Sequence, residues 1–237
     1  MSEHKNFAPF FLARAGTQAL DPLLMKSAFE LRFQVYCLEC HFLDAKLYPN
    51  GMESDPHDAA SAHFFSFNLA SELVGYVRLV PPDTESRFLW QAHSGELLGG
   101  AVLPPPSQSA EISRLMVRRD YRRRRGDVLS GVTVVANDDP LIGERRAESP
   151  QILLSMYRQM YQYSLANGIC YWYAAMERPL ARSLQRMQFL FKQVGFETDY
   201  FGPVAPFVMD LRDSEVHMGK SNPDLLAWLQ RQSPSVG

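Results

Sequence analysis

The sequence has 237 residues, with 24 basic and 26 acidic side chains and a formal net charge of −2. That length suits one domain around a single core, and the near-neutral charge lacks the electrostatic footprint of a nucleic-acid or anionic-membrane binder. Three cysteines, an odd number, and no apolar run approaching ~20 residues argue for reduced thiols in the cytoplasm and against a bilayer span.

The first residues, Met1 to Leu12, place an apolar patch from Phe7 after polar and acidic residues, with no small-residue cleavage site following. They are read as mature chain. Asp21-Pro22 is an N-cap with proline at the first helical position. Leu24, Ala28, Leu31, Val35, Leu38 and Phe42 recur at helical spacing and predict an amphipathic helix over 21–42. A polar loop follows over 48–60. Runs 63–69 and 73–80 read as a hairpin. Residues 81–109, rich in Pro, Gly and Ser, predict irregular structure, and 110–117 another strand. An arginine-rich turn occupies 118–126. Beyond it the pattern predicts a helix from Ser149 to Gly168, a strand over 169–176, a helix over 180–194, strands over 196–201 and 207–211, and a short helix around Trp228. No internal repeat is present, so 1–237 reads as a single domain with an N-terminal arm (1–20) and a C-terminal extension (213–237).

Cys37-Leu38-Glu39-Cys40-His41 matches a haem-attachment pattern. It lies within the helical periodicity, no export segment is visible, and Cys170 is the only other thiol. The reading is therefore core cysteines, with no haem and no metal site.

Charge intrudes where the pattern calls for apolar residues. Arg32, Tyr36 and Glu39 share a helix face. Glu53, Asp55 and Asp58 crowd one loop, Arg78 interrupts an apolar strand, and Glu111 and Arg114 interrupt another. An exposed ion pair contributes only ~0–1 kcal/mol, but a charge inside an apolar strand must be paired or functional.

In order and spacing, Arg32-x3-Tyr36-x5-Phe42, Glu53-x-Asp55-x2-Asp58, Arg78-Leu79-Val80-Pro81 and Glu111-x2-Arg114 resemble the acyl-homoserine-lactone synthases, over roughly residues 23–120. The resemblance implies the GNAT fold: α+β in three layers, with a mixed, mostly antiparallel sheet flanked by helices. It also implies an acyl group taken from acyl carrier protein. The lactone synthases have Phe and Trp where this chain has Tyr36 and Phe42, an aromatic pair that helps hold S-adenosylmethionine. Val35-Tyr36-Cys37-x-Glu39, and Gly195-Phe196 with Phe201-Gly202-Pro203, look closer to a sister group. That group comprises the N-acyl amino acid synthases and the exosortase/PEP-CTERM-associated acyltransferases, which are not expected to use S-adenosylmethionine.

The resemblance implies an N-acyltransferase with a small-molecule amine acceptor. Acyl carrier protein or coenzyme A would bring the donor, with no permanently bound cofactor, no metal, no nucleic acid and no stable membrane insertion. A lactone synthase and a non-enzymatic acyl-binding protein are the alternatives. Glu111 is expected as base and Arg114 as its neighbour. Arg32, Tyr36, Glu53, Asp55, Asp58 and Arg78 are expected around the acceptor, with Arg78 on an acceptor carboxylate. The main chain of Leu115, Met116 and Val117 and the turn Arg122, Arg123, Arg124, Arg125 and Gly126 are expected to hold the donor. That turn lacks the usual Gly-x-Gly ending, because Asp127 and Val128 follow, which favours a carrier protein with an acidic surface. The apolar hairpin and Tyr171 to Tyr173 are candidates to line an acyl tunnel, with core packing the expected role of most of those aromatics. In a regular strand Glu111 and Arg114 point to opposite faces, so a bulge between them is required.

Overall fold

A computed structural model describes residues 7–8, 11–16, 21–93, 96–121, 123–124, 133–134, 149–200 and 202–231. Its strands are β1 (Leu12–Gly16), β2 (Ala62–Phe67), β3 (Leu73–Val80), β4 (Ser109–Val117), β5 (Arg123–Arg124), β6 (Thr133–Val134), β7 (Tyr171–Met176), β8 (Lys192–Gln193), β9 (Thr198–Asp199) and β10 (Pro203–Asp210). Its helices are α1 (Pro22–Arg32), α2 (Ser149–Ala166), α3 (Arg178–Arg186), α4 (Leu211–Ser221) and α5 (Pro223–Gln230). The main sheet runs β1-β2-β3-β4-β7-β10-β8, with β9 on β10. Every neighbour in it is antiparallel except β4 and β7. This is the three-layer α+β architecture of the GNAT fold.

Alternation along the strands builds the layers. Phe64, Val77 and Leu79 face a core with Ile152, Met156 and Met160 of α2. Phe65 and Tyr76, one residue out of phase, face Ala28 and Leu31 of α1 and Val35 beyond it. Gly75 lets α2 lie close, since a Cβ there would sit 2.6 Å from Ile152 Cγ2.

Several elements depart from the sequence reading. The first helix is α-helical only to Arg32, and Phe33–Glu39 continues it as a π-helix. The amide of Cys40 reaches back to the Val35 carbonyl and that of Phe42 to Tyr36. The helix expected over 180–194 stops at Arg186. Gln188 takes φ +73°, and the chain turns so that Phe189 packs on Tyr157 with ring centroids 4.6 Å apart. Of 196–201, only Thr198–Asp199 forms a ladder. Among the elements not anticipated are β1, which joins the sheet edge, and α4, which starts where the Asp210 carboxylate caps the Arg212 amide.

The bulge is present. β4 pairs with β3 through Arg78↔Ser113 and then Tyr76↔Met116, so Arg114 and Leu115 together oppose Val77. Arg114 takes φ +55°. The phase of β4 changes there: Ala110 and Ile112 share the α2 face with Val117, while Met116 turns to the α1 face.

Candidate functional site

The site lies where the α1 side of the sheet meets the parting of β4 from β7. Their ladder runs from Ser109↔Tyr171 to Glu111↔Tyr173. Past it, Ser113 to Leu115 and Ala175 to Glu177 line a cavity of about 170 Å³.

Beside this wedge, the separated charges of the sequence come together. Arg32, at the end of α1, meets Glu53 at 2.5 Å and Asp58 at 2.5 Å. Arg78 of β3 grips Asp55 with both amino groups, at 2.8 and 2.7 Å, and reaches Asp58 at 2.6 Å. Arg114 holds Glu53 at 3.1 and 3.2 Å and Asp55 at 3.2 Å. The loop is tied to α1 by the Glu53 amide on the Phe29 carbonyl, 3.0 Å. Three guanidinium groups thus face three carboxylates, and Arg32, Arg78 and Glu53 are fully buried. Burial alone would raise the carboxyls of Glu53 and Asp55, but the arginine contacts overcome it and hold both below the ordinary range.

Arg78, expected on an acceptor carboxylate, is instead enclosed by Asp55 and Asp58, which take both of its amino groups. Tyr36, in the π-helix, lines the cavity with Phe42, ring centroids 5.7 Å apart. The extra residue per turn that a π segment introduces redirects side chains, which is common at working sites. The Tyr36 ring face is already covered by the Arg114 guanidinium, 5.2 Å from its centroid.

Glu111 differs from the other acids. It is 4% exposed and has no arginine within pairing distance among the described contacts. Its Oε2 accepts the Trp90 amide at 3.2 Å. Burial pushes its carboxyl up to about 7, against the opposing pull of the Trp90 and Leu89 amides. A carboxylate with that affinity for protons, lining a cavity, can take a proton from a bound amine near neutrality. On the same wall, Ser113 Oγ accepts from Arg78 at 3.4 Å.

Residues that the sequence reading missed complete the cavity. Leu89–Ala92, within the Pro-rich stretch expected to be irregular, forms a 3₁₀ turn capped by Gln91 on the Phe88 amide, 2.7 Å. His93, after it, stacks on Tyr200 with centroids 3.7 Å apart at 15°. Met176, Leu180 and Val204 give the far side an apolar lining. A tryptophan embedded in a polar loop was the one available signal, because an exposed loop has little use for a buried indole.

Of the donor residues, Leu115 lines the cavity, whereas the Met116 and Val117 side chains are wholly buried in the two cores. Any donor contact of the latter pair is through main chain. Arg123 and Arg124 form a two-residue strand paired with Thr133–Val134; Arg122, Arg125 and Gly126 lie outside the described residues. Most aromatics of the hairpin and of β7 pack in cores, the role expected for most of them, rather than along a tunnel. Phe64, Phe65, Tyr76 and Val77 are core, Tyr173 packs between Phe88 and Trp90, and the Tyr171 hydroxyl takes a hydrogen bond from Arg212. In the Cys-x-x-Cys-His segment, Cys37 is buried and His41 bonds the Cys37 carbonyl at 3.1 Å. Among the described residues, no helix is long and apolar enough to cross a membrane.

An acetyltransferase (GNAT) domain model matches residues 31–131, the span that carries Arg32 through Arg114. The chain is 28% identical over 158 residues to an acyl-homoserine-lactone synthase of Vibrio anguillarum, covering 66% of this chain and 70% of that protein. Two solved structures share the fold. One is BjaI, a CoA-dependent acyl-homoserine lactone synthase solved with SAM and isopentyl-CoA, at 18% identity and TM-score 0.61 over 92% of this chain and 98% of that one. The other is the AHL synthase LasI, at 17% identity and TM-score 0.59 over 85% of this chain and 90% of that one.

Proposed function

We propose that the chain is a GNAT-fold acyltransferase related to the acyl-homoserine-lactone synthases, and that it acylates the amine of an amino acid or similar small molecule. The donor is a carrier-bound thioester, on acyl carrier protein or coenzyme A. The observation that carries this reading is Glu111, a buried carboxyl poised near 7 in the wedge between β4 and β7.

In the reaction, the acceptor nitrogen attacks the thioester carbonyl carbon while Glu111, directly or through a water, takes a proton from that nitrogen. The C–S bond then breaks and the carrier thiolate leaves. Main-chain N–H groups near Leu115 steady the carbonyl oxygen, the kind of contact that lowers an acyl-transfer barrier most. The Arg32–Arg78–Arg114 cluster holds the Glu53–Asp58 loop beside the wedge. Holding the two substrates in register is worth up to ~7–11 kcal/mol.

The favoured acceptor is an amino acid, in the manner of the N-acyl amino acid synthases and exosortase-associated acyltransferases. Arg114 lies over Tyr36, so that ring face is not open to a sulfonium. The lactone synthase is the second reading, supported by the relative from Vibrio anguillarum. Purified protein given acyl-carrier thioester with either an amino-acid panel or S-adenosylmethionine separates them. N-acyl amino acid supports the first, and lactone from S-adenosylmethionine replaces it with the second.

Since the base must be ionised, kcat/KM should climb about tenfold per pH unit below about 7 and level off above it. A profile flat from pH 5 to 8 would remove Glu111 from the role.

A further inference from the structure

We propose that His63 is a positioning residue of this site: as a neutral imidazole it pins the Asp58 corner of the acidic loop, and a proton added at Nδ1 sets a further cation against Arg78 and Arg32 and loosens that corner by repulsion. The inference rests on the acyl-transfer reading above and adds a control on acceptor binding.

His63 is 2% exposed, in β2 directly opposite Arg78. Its Nε2 lies 2.9 Å from the main-chain carbonyl oxygen of Asp58, and its Nδ1 2.7 Å from the Tyr76 hydroxyl. A carbonyl oxygen only accepts, so Nε2 carries the ring hydrogen. Nδ1 is then bare, and the Tyr76 hydroxyl donates to it. Both ring nitrogens are satisfied in one tautomer of the neutral ring.

Asp58 is thereby anchored twice. Its carboxylate takes Arg32, Arg78 and the Asp55 amide, the last at 2.8 Å, while its carbonyl takes His63. The carbonyl anchor sets where the Glu53–Asp58 loop turns, and through Asp55 and Glu53 it sets Arg114 at the cavity wall.

The groups facing the ring are Asp58 from the loop, Arg78 and Tyr76 from β3, and Arg32 from α1; across the β1 ladder stands Gly16, without a side chain. Protonation would place a fourth cation beside three arginines whose three acids are already engaged. It would also set an Nδ1–H against the Tyr76 hydroxyl hydrogen. Burial pushes the imidazole below its ordinary 6.5, Arg78 and Arg32 add to this, and the Asp58 contact opposes it. The neutral state, and the loop it holds, persist until the pH falls below the ordinary histidine range.

Imidazole ¹⁵N shifts of the full chain test this. His63 should show a protonated Nε2 and a bare Nδ1, and should stay neutral to more acid pH than a histidine in a short reference peptide. An Nδ1–H tautomer, or titration in step with the reference peptide, overturns the proposal. His63→Gln supplies a donor and an acceptor that do not titrate. It should keep acceptor kcat/KM within about threefold at pH 8, and its acid limb should keep a slope of one proton throughout, where the unaltered chain falls with a slope of one just below 7 and steepens toward two once His63 is protonated. Equal slopes overturn the proposal. His63→Leu should raise acceptor KM by roughly tenfold or more with a smaller change in kcat, and a folded variant with unchanged KM contradicts it. Should the Leu variant fail to fold, the Gln slopes decide. A chain that acylates no amine defeats the acyl-transfer reading, while the nitrogen shifts still decide His63.

Discussion

Glu111→Gln should lower kcat by about 10²–10⁴, the usual contribution of a positioned base, while the protein stays folded. The amide is close in shape to the carboxyl and can still accept the Trp90 N–H. The folded chain raises the Glu111 pKa to about 7 from 4.5, so the native state favours the protonated form. That contribution to stability is complete below the unfolded pKa and is lost as pH rises through about 7. At pH 8 the neutral amide removes a buried charge, and the variant should melt no lower than the parent. Loss of turnover with an unchanged or raised Tm therefore isolates chemistry from folding. An active variant, or one that is inactive because it unfolds, would contradict the assignment.

Arg32→Leu should be the most destabilising single change in the site. Arg32 is fully buried against Glu53 and Asp58, and the substitution leaves Glu53, itself fully buried, with Arg114 alone. Breaking a buried pair from one side costs ~3–5 kcal/mol, which in a chain of this size lowers Tm on the order of 10 °C. The depressed carboxyls of Glu53 and Asp55 set its pH dependence. The cluster's stabilisation is present above the ordinary carboxylate range and declines as pH falls below it. The gap between variant and parent should therefore close in acid. Calorimetry across pH 3 to 8 checks both statements, and a gap that does not narrow between pH 8 and pH 3 would mean that packing, not charge, is responsible.

The sequence was most informative where a charge breaks a pattern. Arg78 and Glu111 stand inside apolar strands, and that conflict between periodicity and chemistry marks them as paired or functional. The bulge between Glu111 and Arg114 followed from strand period together with the resemblance, which put both residues at one site, and Arg114 adopts φ +55°. What single residues then do was less legible. Arg78 read as a ligand for an acceptor because its pairing with Asp55 and Asp58 is set by the fold of a loop, which leaves no periodic trace. The π segment was invisible because Phe33 to Glu39 keeps an apolar spacing that fits an α-helix as well. Trp90 was hidden because a 3₁₀ turn in a Pro-rich stretch is held by one Gln91 cap and by burial. His63 sits in an alternating strand as an ordinary inward residue, and only its two hydrogen bonds set it apart.

The measurement closest to the central claim is mass spectrometry of extracts from cells expressing either the unaltered chain or Glu111→Gln. The account predicts a new N-acyl amino acid with the first and none with the second. An acyl-homoserine lactone in place of that product, or the same product from both proteins, would contradict it.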